Sequence, residues 1–257
     1  MTNSLFVAWR SGDANLGSWG PVGRLEHDGE LFRFCYTQGA RSLPGYRPFS
    51  EMPDLEQVYE SETLFPLFAN RLLSPSRPEY EAFMMWGGFD PNNPPDPIAI
   101  LGVTEGIRQT DSVEVFPCPA PDAQGCFINK FFLHGVRWMP PAAIERISRL
   151  KPAESLCLMP DPLNEFDHDA VAVRTSDRAN RFLIGYVPRY LARDVRQLFA
   201  ECDPRSLELF VERINPDAPL QQRALCRMRA CWPDGFQPCN APGFQPIPQN
   251  AAIDCNA

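Results

Sequence analysis

Three short runs carry the residue types that could do chemistry: Phe132-Leu-His-Gly-Val-Arg-Trp138, then Leu156 to Val173 with Asp161, Asn164, Phe166 and Asp167 among its prolines, then Ile184-Gly-Tyr-Val-Pro-Arg-Tyr-Leu-Ala192. An aromatic ring, an arginine and an amide close together suit the end of a nucleic acid. A base stacks on a ring for about 1 to 3 kcal/mol, a guanidinium pairs with phosphate, and Asn or Asp can bond a terminal hydroxyl. A second reading of the same residues is structural: Trp138 and Phe166 lie in a core, and Asp161, Asn164 and Asp167 shape turns by bonding their own backbone. Spacing alone favours the structural reading.

Catalytic chemistry is poorly served. Asp161, Asp167, His168 and Asp169 could be read as a metal cluster for a nuclease, yet their spacing fits neither a calcium loop nor a two-metal carboxylate set. Ser, His and Asp are present without a nucleophile elbow, and the chain has three His in all. Cys226, Cys231 and Cys239 could offer thiolates to zinc, but no His stands nearby, and Cys226 reads as a core residue. No catalytic residue, metal or cofactor is expected.

The elements that must position these runs are short strands and loops. The chain has 257 residues, 28 of them Pro, and proline at that density excludes a helix bundle or coiled coil. Eighteen Phe, five Trp and six Tyr supply apolar area for real cores, and 22% charged residues is too few for a disordered chain. Strands are predicted at residues 5 to 9, 22 to 25 and 31 to 36, the last two joined at Asp28-Gly29. Residues 55 to 73 have near-helical apolar spacing interrupted by Pro66, residues 78 to 88 read as a short helix, and 98 to 103 and 112 to 116 as strands. Further on, strands are predicted at 127 to 138, 155 to 159, 170 to 174, 182 to 187, 207 to 214 and 224 to 231. Helices are predicted at 141 to 150 and 189 to 199.

The net charge of -8 is unevenly placed. Residues 1–117 hold 8 basic and 16 acidic side chains, while residues 118–257 hold 16 of each. A phosphate-rich partner is repelled by the first part, so any nucleic-acid contact falls to local Arg clusters in the second. Arginine outnumbers lysine 22 to 2. The first residues lack a basic and then apolar leader, and no run reaches the ~18 apolar residues of a membrane span, so a soluble, cytoplasmic protein with no membrane contact is expected. Nine Cys, an odd number without a Cys-x-x-Cys pair, do not suggest a disulfide framework.

The pattern Asp161-Pro-Leu-Asn-Glu-Phe-Asp-His-Asp-Ala-Val171 followed by Gly185-Tyr-Val-Pro188 resembles the HIRAN domain, over residues 126 to 231. The resemblance implies an OB-like small β-barrel with flanking helices, found on fork-remodelling helicases and alone in bacteria, that binds single-stranded DNA, in the helicases at a free 3′ end. Arg137 and Trp138 match that family's basic and aromatic pair. Asn164, Phe166 and Asp167 match the loop's amide, aromatic and carboxylate, and Tyr186 and Arg189 the later groove positions. Phe166 stands where tyrosine is usual, and Leu163 where a second amide can occur.

Residues 5 to 118 are similar to the N-terminal subdomain of HipA-type kinases through Val22-Gly-Arg-Leu25, Leu31 to Tyr36, Arg41-Ser-Leu43 and Leu64 to Leu73, with Thr110-Asp111 and Phe116-Pro117 echoing its end. In that family this piece mediates contacts between proteins. No kinase core or Gly-rich phosphate loop follows it here.

The reading is a β-rich α+β protein of two small domains: a HipA-N-like module at 1–118, a linker at 119–125, a HIRAN-like nucleic-acid-binding domain at 126–232 and a loosely packed tail at 233–257. Its expected function is non-enzymatic binding of single-stranded DNA or a DNA 3′ end. Trp138, Phe166 and Tyr186 stack, Arg137 and Arg189 meet phosphates, and Asn164 and Asp167 bond the terminal sugar or a base edge. The alternative is an antitoxin-like or phage-defence protein that binds a HipA-type kinase or another protein, and a metal-dependent nuclease is the third.

Overall fold

The computed structural model describes residues 3–11, 18–108, 111–122, 124–203 and 206–247. Thr110 and the last ten residues of the expected tail lie outside them. The chain divides into two compact units, the first made of Met1–Tyr80, Asn93–Cys118 and the stretch from Cys239, the second of Glu81–Asn92 and Pro119–Pro238. This differs from a division into contiguous blocks at two places: a segment around residue 86 belongs to the second unit, and the end of the chain returns to the first. Among the described residues no helix is long and apolar enough to cross a membrane.

The first unit is an antiparallel sheet of β1 (Asn3–Arg10), β2 (Trp19–His27), β3 (Phe32–Tyr36), β4 (Tyr59–Ser61) and β5 (Val113–Pro117), in the order β4-β3-β2-β1-β5. The expected hairpin at Asp28-Gly29 is present, because Asp28 Oδ1 accepts from the Glu30 and Leu31 amides and turns the chain. Phe34, Tyr36, Val22, Leu25 and Phe68 form its core. Tyr36 is buried whole yet satisfied: its hydroxyl donates to Met52 O at 2.7 Å and accepts from the Phe49 amide at 2.8 Å. Short helices follow at α1 (Gly39–Ser42) and α2 (Pro66–Ala69).

Two sequence expectations fail here. Residues 55 to 64 are not helical: Tyr59–Ser61 pairs with β3, and Pro66 takes the first position of α2, where its missing N–H costs nothing. Residues 98 to 103 are not a strand but lie in α4 (Pro97–Thr104). Asp96 Oδ1 accepts from the Ile98 amide at 2.7 Å and Pro97 presets the first turn, so capping chemistry outweighs the β-branched run.

The tail expectation is corrected as well, for residues 239 to 247. The Ile247 amide donates to Tyr36 O at 2.9 Å, the Gln38 amide donates to Gln245 O at 2.8 Å, and Phe244 meets Phe6 edge-on at 4.9 Å. Ile247 is buried in the first core. A segment rich in Pro and Gln is held because two apolar side chains reach the sheet.

The second unit takes α3 (Tyr80–Trp86) from Glu81 onward and builds an antiparallel sheet in the order β6-β11-β10-β7-β8-β9. Its strands are β6 (Cys126–Phe132), β7 (Ser155–Pro160), β8 (Val171–Thr175), β9 (Leu183–Tyr186), β10 (Glu208–Ile214) and β11 (Ala224–Cys231). Helices α5 (Pro141–Ser148) and α6 (Arg189–Glu201) flank it, each started by proline. All six strands were legible as apolar runs between turn residues, although the predicted strand at 127 to 138 stops at Phe132. Phe131, Leu133, Val171, Val173, Ile184, Val195 and Leu225 are among the second unit's buried residues.

The sheet curls because its two edges meet. Just past β6, the Leu133 amide still bonds Ala224 O of β11, whereas the next residue, His134, exchanges two backbone hydrogen bonds with Tyr186 of β9, at 3.0 and 2.9 Å. An unpaired strand edge is thereby satisfied within the chain. The whole is a β-rich α+β protein with two sheets, the second a curled half-barrel, as the sequence implied.

Candidate nucleic-acid interface

The site grows out of the strand closure. Gly135 follows the His134 bridge with φ of +71° and starts a 3₁₀ turn over Val136–Trp138. Any Cβ at Gly135 would sit 3.3 Å from the Tyr186 ring, so glycine lets that ring lie against the turn. On the other strand Gly185 has φ of +155°, and a Cβ there would come within 2.8 Å of His134 O. Two glycines therefore permit the close backbone approach that brings Arg137 and Trp138 beside β9.

Val136 is the buried anchor of this turn, while Arg137 and Trp138 face solvent. Trp138 is 73% exposed, and the Arg137 guanidinium lies over its ring, 4.7 Å from the centroid. A stacked guanidinium and indole form a flat, cationic, apolar platform.

The loop between β7 and β8 is wound by its own polar side chains. Asn164 Oδ1 accepts from the amides of Phe166 at 3.0 Å and Asp167 at 3.1 Å, and Asn164 Nδ2 donates to Asp161 Oδ2 at 3.2 Å. Asp167 Oδ1 accepts from the Asp169 amide at 3.0 Å. Phe166 is left at the tip, 87% exposed, beside Leu163 at 89%.

Both readings of the sequence are thus half realised: the polar residues shape the turn, and the aromatics are not core. Asn164 has its oxygen committed to two backbone amides, so what it offers a ligand is an N–H. Asp167 keeps one oxygen toward Arg189, whose Nε lies 3.8 Å from Oδ2.

Tyr186 joins the two parts. Its ring lies against Gly135 and its hydroxyl donates to Asp161 Oδ2 at 3.3 Å. Burial first, and then the Asp161 carboxylate, raise the Tyr186 pKa above its ordinary value, which keeps the hydroxyl protonated as a donor. Arg189 opens α6 just beyond, and Arg196, two turns further along, donates to His168 O and holds the loop from its far side.

The structure brings Arg137, Trp138, Asn164, Phe166, Asp167, Tyr186 and Arg189 onto segments tied through Tyr186. Sequence reasoning used Gly185 only as part of a pattern, gave neither glycine a packing role and gave Asp161 no binding role, although Gly-Tyr after a β-branched run was a usable signal for close approach. Among the described residues no group of three or more His, Cys, Asp or Glu could hold a metal ion. The carboxylates of Asp161 and Asp167 are directed instead at Tyr186 with Asn164 and at Arg189.

A family match falls within this unit. Two solved structures are similar: the HIRAN domain of human HLTF, at 17% identity and a TM-score of 0.29 over 41% of this chain and 74% of that one, and a protein from Lactobacillus plantarum, at 17% and 0.30 over 41% and 99%. No curated protein matches the chain. Residues 129–229 match the HIRAN domain family, and every position from Arg137 to Arg189 named above lies inside that span.

Proposed function

We propose that the second unit binds single-stranded DNA or a DNA 3′ end without catalysing a reaction, and that the acidic first unit, similar to the HipA N-terminal subdomain, contacts a protein partner. The observation that carries the DNA reading is the exposure of Trp138 and Phe166. Large rings turned to water next to arginine offer a stacking platform beside phosphate-binding charge. The match of residues 129–229 to the HIRAN family supports the same reading.

In this reading a base stacks on Trp138 and another on Phe166, with Tyr186 lining the floor between their segments. Arg137 and Arg189 meet phosphates, while the Asn164 N–H and the Asp167 carboxylate face the terminal sugar or a base edge. Few phosphates are neutralised, so affinity is modest and salt dependence shallow. Fluorescence anisotropy with a short labelled single strand at low salt tests this. Absence of binding, or unchanged binding after replacing both Arg137 and Trp138 by Ala, rejects it.

One observation favours a second reading, in which the unit docks a protein. Leu163 and Phe166 form an apolar loop tip, and leucine offers nothing specific to a nucleotide. Copurification of a stoichiometric polypeptide in place of nucleic acid would select that alternative.

A further inference from the structure

Cys126 and Cys231 stand directly opposite each other on β6 and β11. The Trp232 amide donates to Gly125 O at 3.0 Å, which makes the pair flanked by hydrogen bonds rather than joined by them. At such positions Cα atoms are about 4.5 Å apart and the side chains are at their closest, inside the roughly 4.4 to 6.8 Å that a disulfide spans. The neighbouring Cys231 thiol, followed by burial, holds the Cys126 thiol above its ordinary pKa. Arg229, on the same face, places its guanidinium 3.6 Å from Cys126 Sγ. Cys126 is buried and Cys231 exposed.

We propose that Cys126 and Cys231 form a reversible cross-strand disulfide by exchange with a small-molecule disulfide such as oxidised glutathione. The exposed Cys231 thiolate attacks one sulfur of that disulfide, breaking its S–S bond and releasing one thiolate. The Cys126 sulfur, losing its proton as it reacts, then attacks the Cys231 sulfur beside Arg229, and the second thiolate leaves. Two protein thiols are oxidised, one disulfide is reduced to two thiols, and the protons lost by the cysteines end on the released thiolates. The bond staples β6, an edge strand of its sheet, to β11. The same strand runs on into the His134 bridge and the Arg137–Trp138 turn, so the staple holds the strand that carries them.

The full-length protein is equilibrated with oxidised or reduced glutathione, its free thiols are alkylated, and the digest is read by mass spectrometry. The expected result under oxidised glutathione is a Cys126–Cys231 cross-linked peptide that dithiothreitol removes. Thermal unfolding of the oxidised protein should rise by several degrees, reversibly, and Cys231→Ser should lose that rise; its side chain is exposed, so the variant folds. Recovery of Cys231 joined only to glutathione or to Cys202, whose sulfur lies 3.8 Å from Cys231 O, with Cys126 alkylated, overturns the proposal. So does alkylation of both Cys126 and Cys231.

Discussion

Tyr186 and His134 exchange two backbone hydrogen bonds across a gap too narrow for a Cβ on the residue before Tyr186, which is glycine. That one bridge closes the curled sheet and determines where Trp138 stands relative to the loop of Phe166. Its consequences can be measured.

Gly185→Ala should destabilise the second unit by roughly 2 kcal/mol, from left-handed backbone strain and contact with His134 O. Urea unfolding reads the loss. Oligonucleotide affinity, measured where the variant is still folded, should fall with it, because the Arg137–Trp138 turn loses its support.

Trp138→Ala and Phe166→Ala should separate binding from stability. Both rings are exposed, so unfolding free energy should move by less than ~0.5 kcal/mol. Each lost stacking contact should weaken single-strand binding by about 1 to 3 kcal/mol, or about 5- to 150-fold.

Arg137→Ala should lower the slope of log affinity against log salt by about 0.7, the release of one counterion from a single strand. Anisotropy titrations at several salt concentrations measure this. An unchanged slope would mean that this guanidinium stacks on Trp138 without meeting phosphate.

Tyr36 should be one of the buried groups, with Tyr46, Cys35 and Cys226, that lower stability at alkaline pH. Burial, ahead of every other cause, pushes its hydroxyl up to about 12. The unfolded chain releases that proton near pH 10, so above pH 10 the folded state holds more protons and stability falls as pH rises. The urea midpoint should decline between pH 10 and 12, less steeply in Tyr36→Phe, which starts lower because its bond to Met52 O is lost.

Ile247→Ala should cost the first unit about 2 to 4 kcal/mol, as for a buried aliphatic truncation. A shift in thermal unfolding checks it. No change would restore the picture of a loose tail.

The strands were legible because alternation and turn chemistry are local. Asp28-Gly29 announces its hairpin, and Cys226 to Cys231 alternates buried and exposed positions along β11. The failures were also local signals, overridden from a distance or by a neighbour. Residues 98 to 103 look like a strand until Asp96 caps them, and residues 59 to 61 are extended because β3 needs a partner. Phe244 and Ile247 are too sparse to mark a packed segment, yet Ile247 enters the first core and Phe244 packs on Phe6 and Phe116.

By itself, the sequence determined that this is a β-rich α+β protein with its net negative charge in the first half and most of its arginines in the second, beside the aromatic positions of the candidate groove. Charge, proline content and turn residues are properties of the chain, readable wherever it lies. Whether Trp138 and Phe166 face water or core was decided only by the tertiary structure, as was the commitment of Asn164 to its own loop. Exposure depends on which segments pack together; for Trp138, two glycines let β9 approach the end of β6 and leave its turn at the surface.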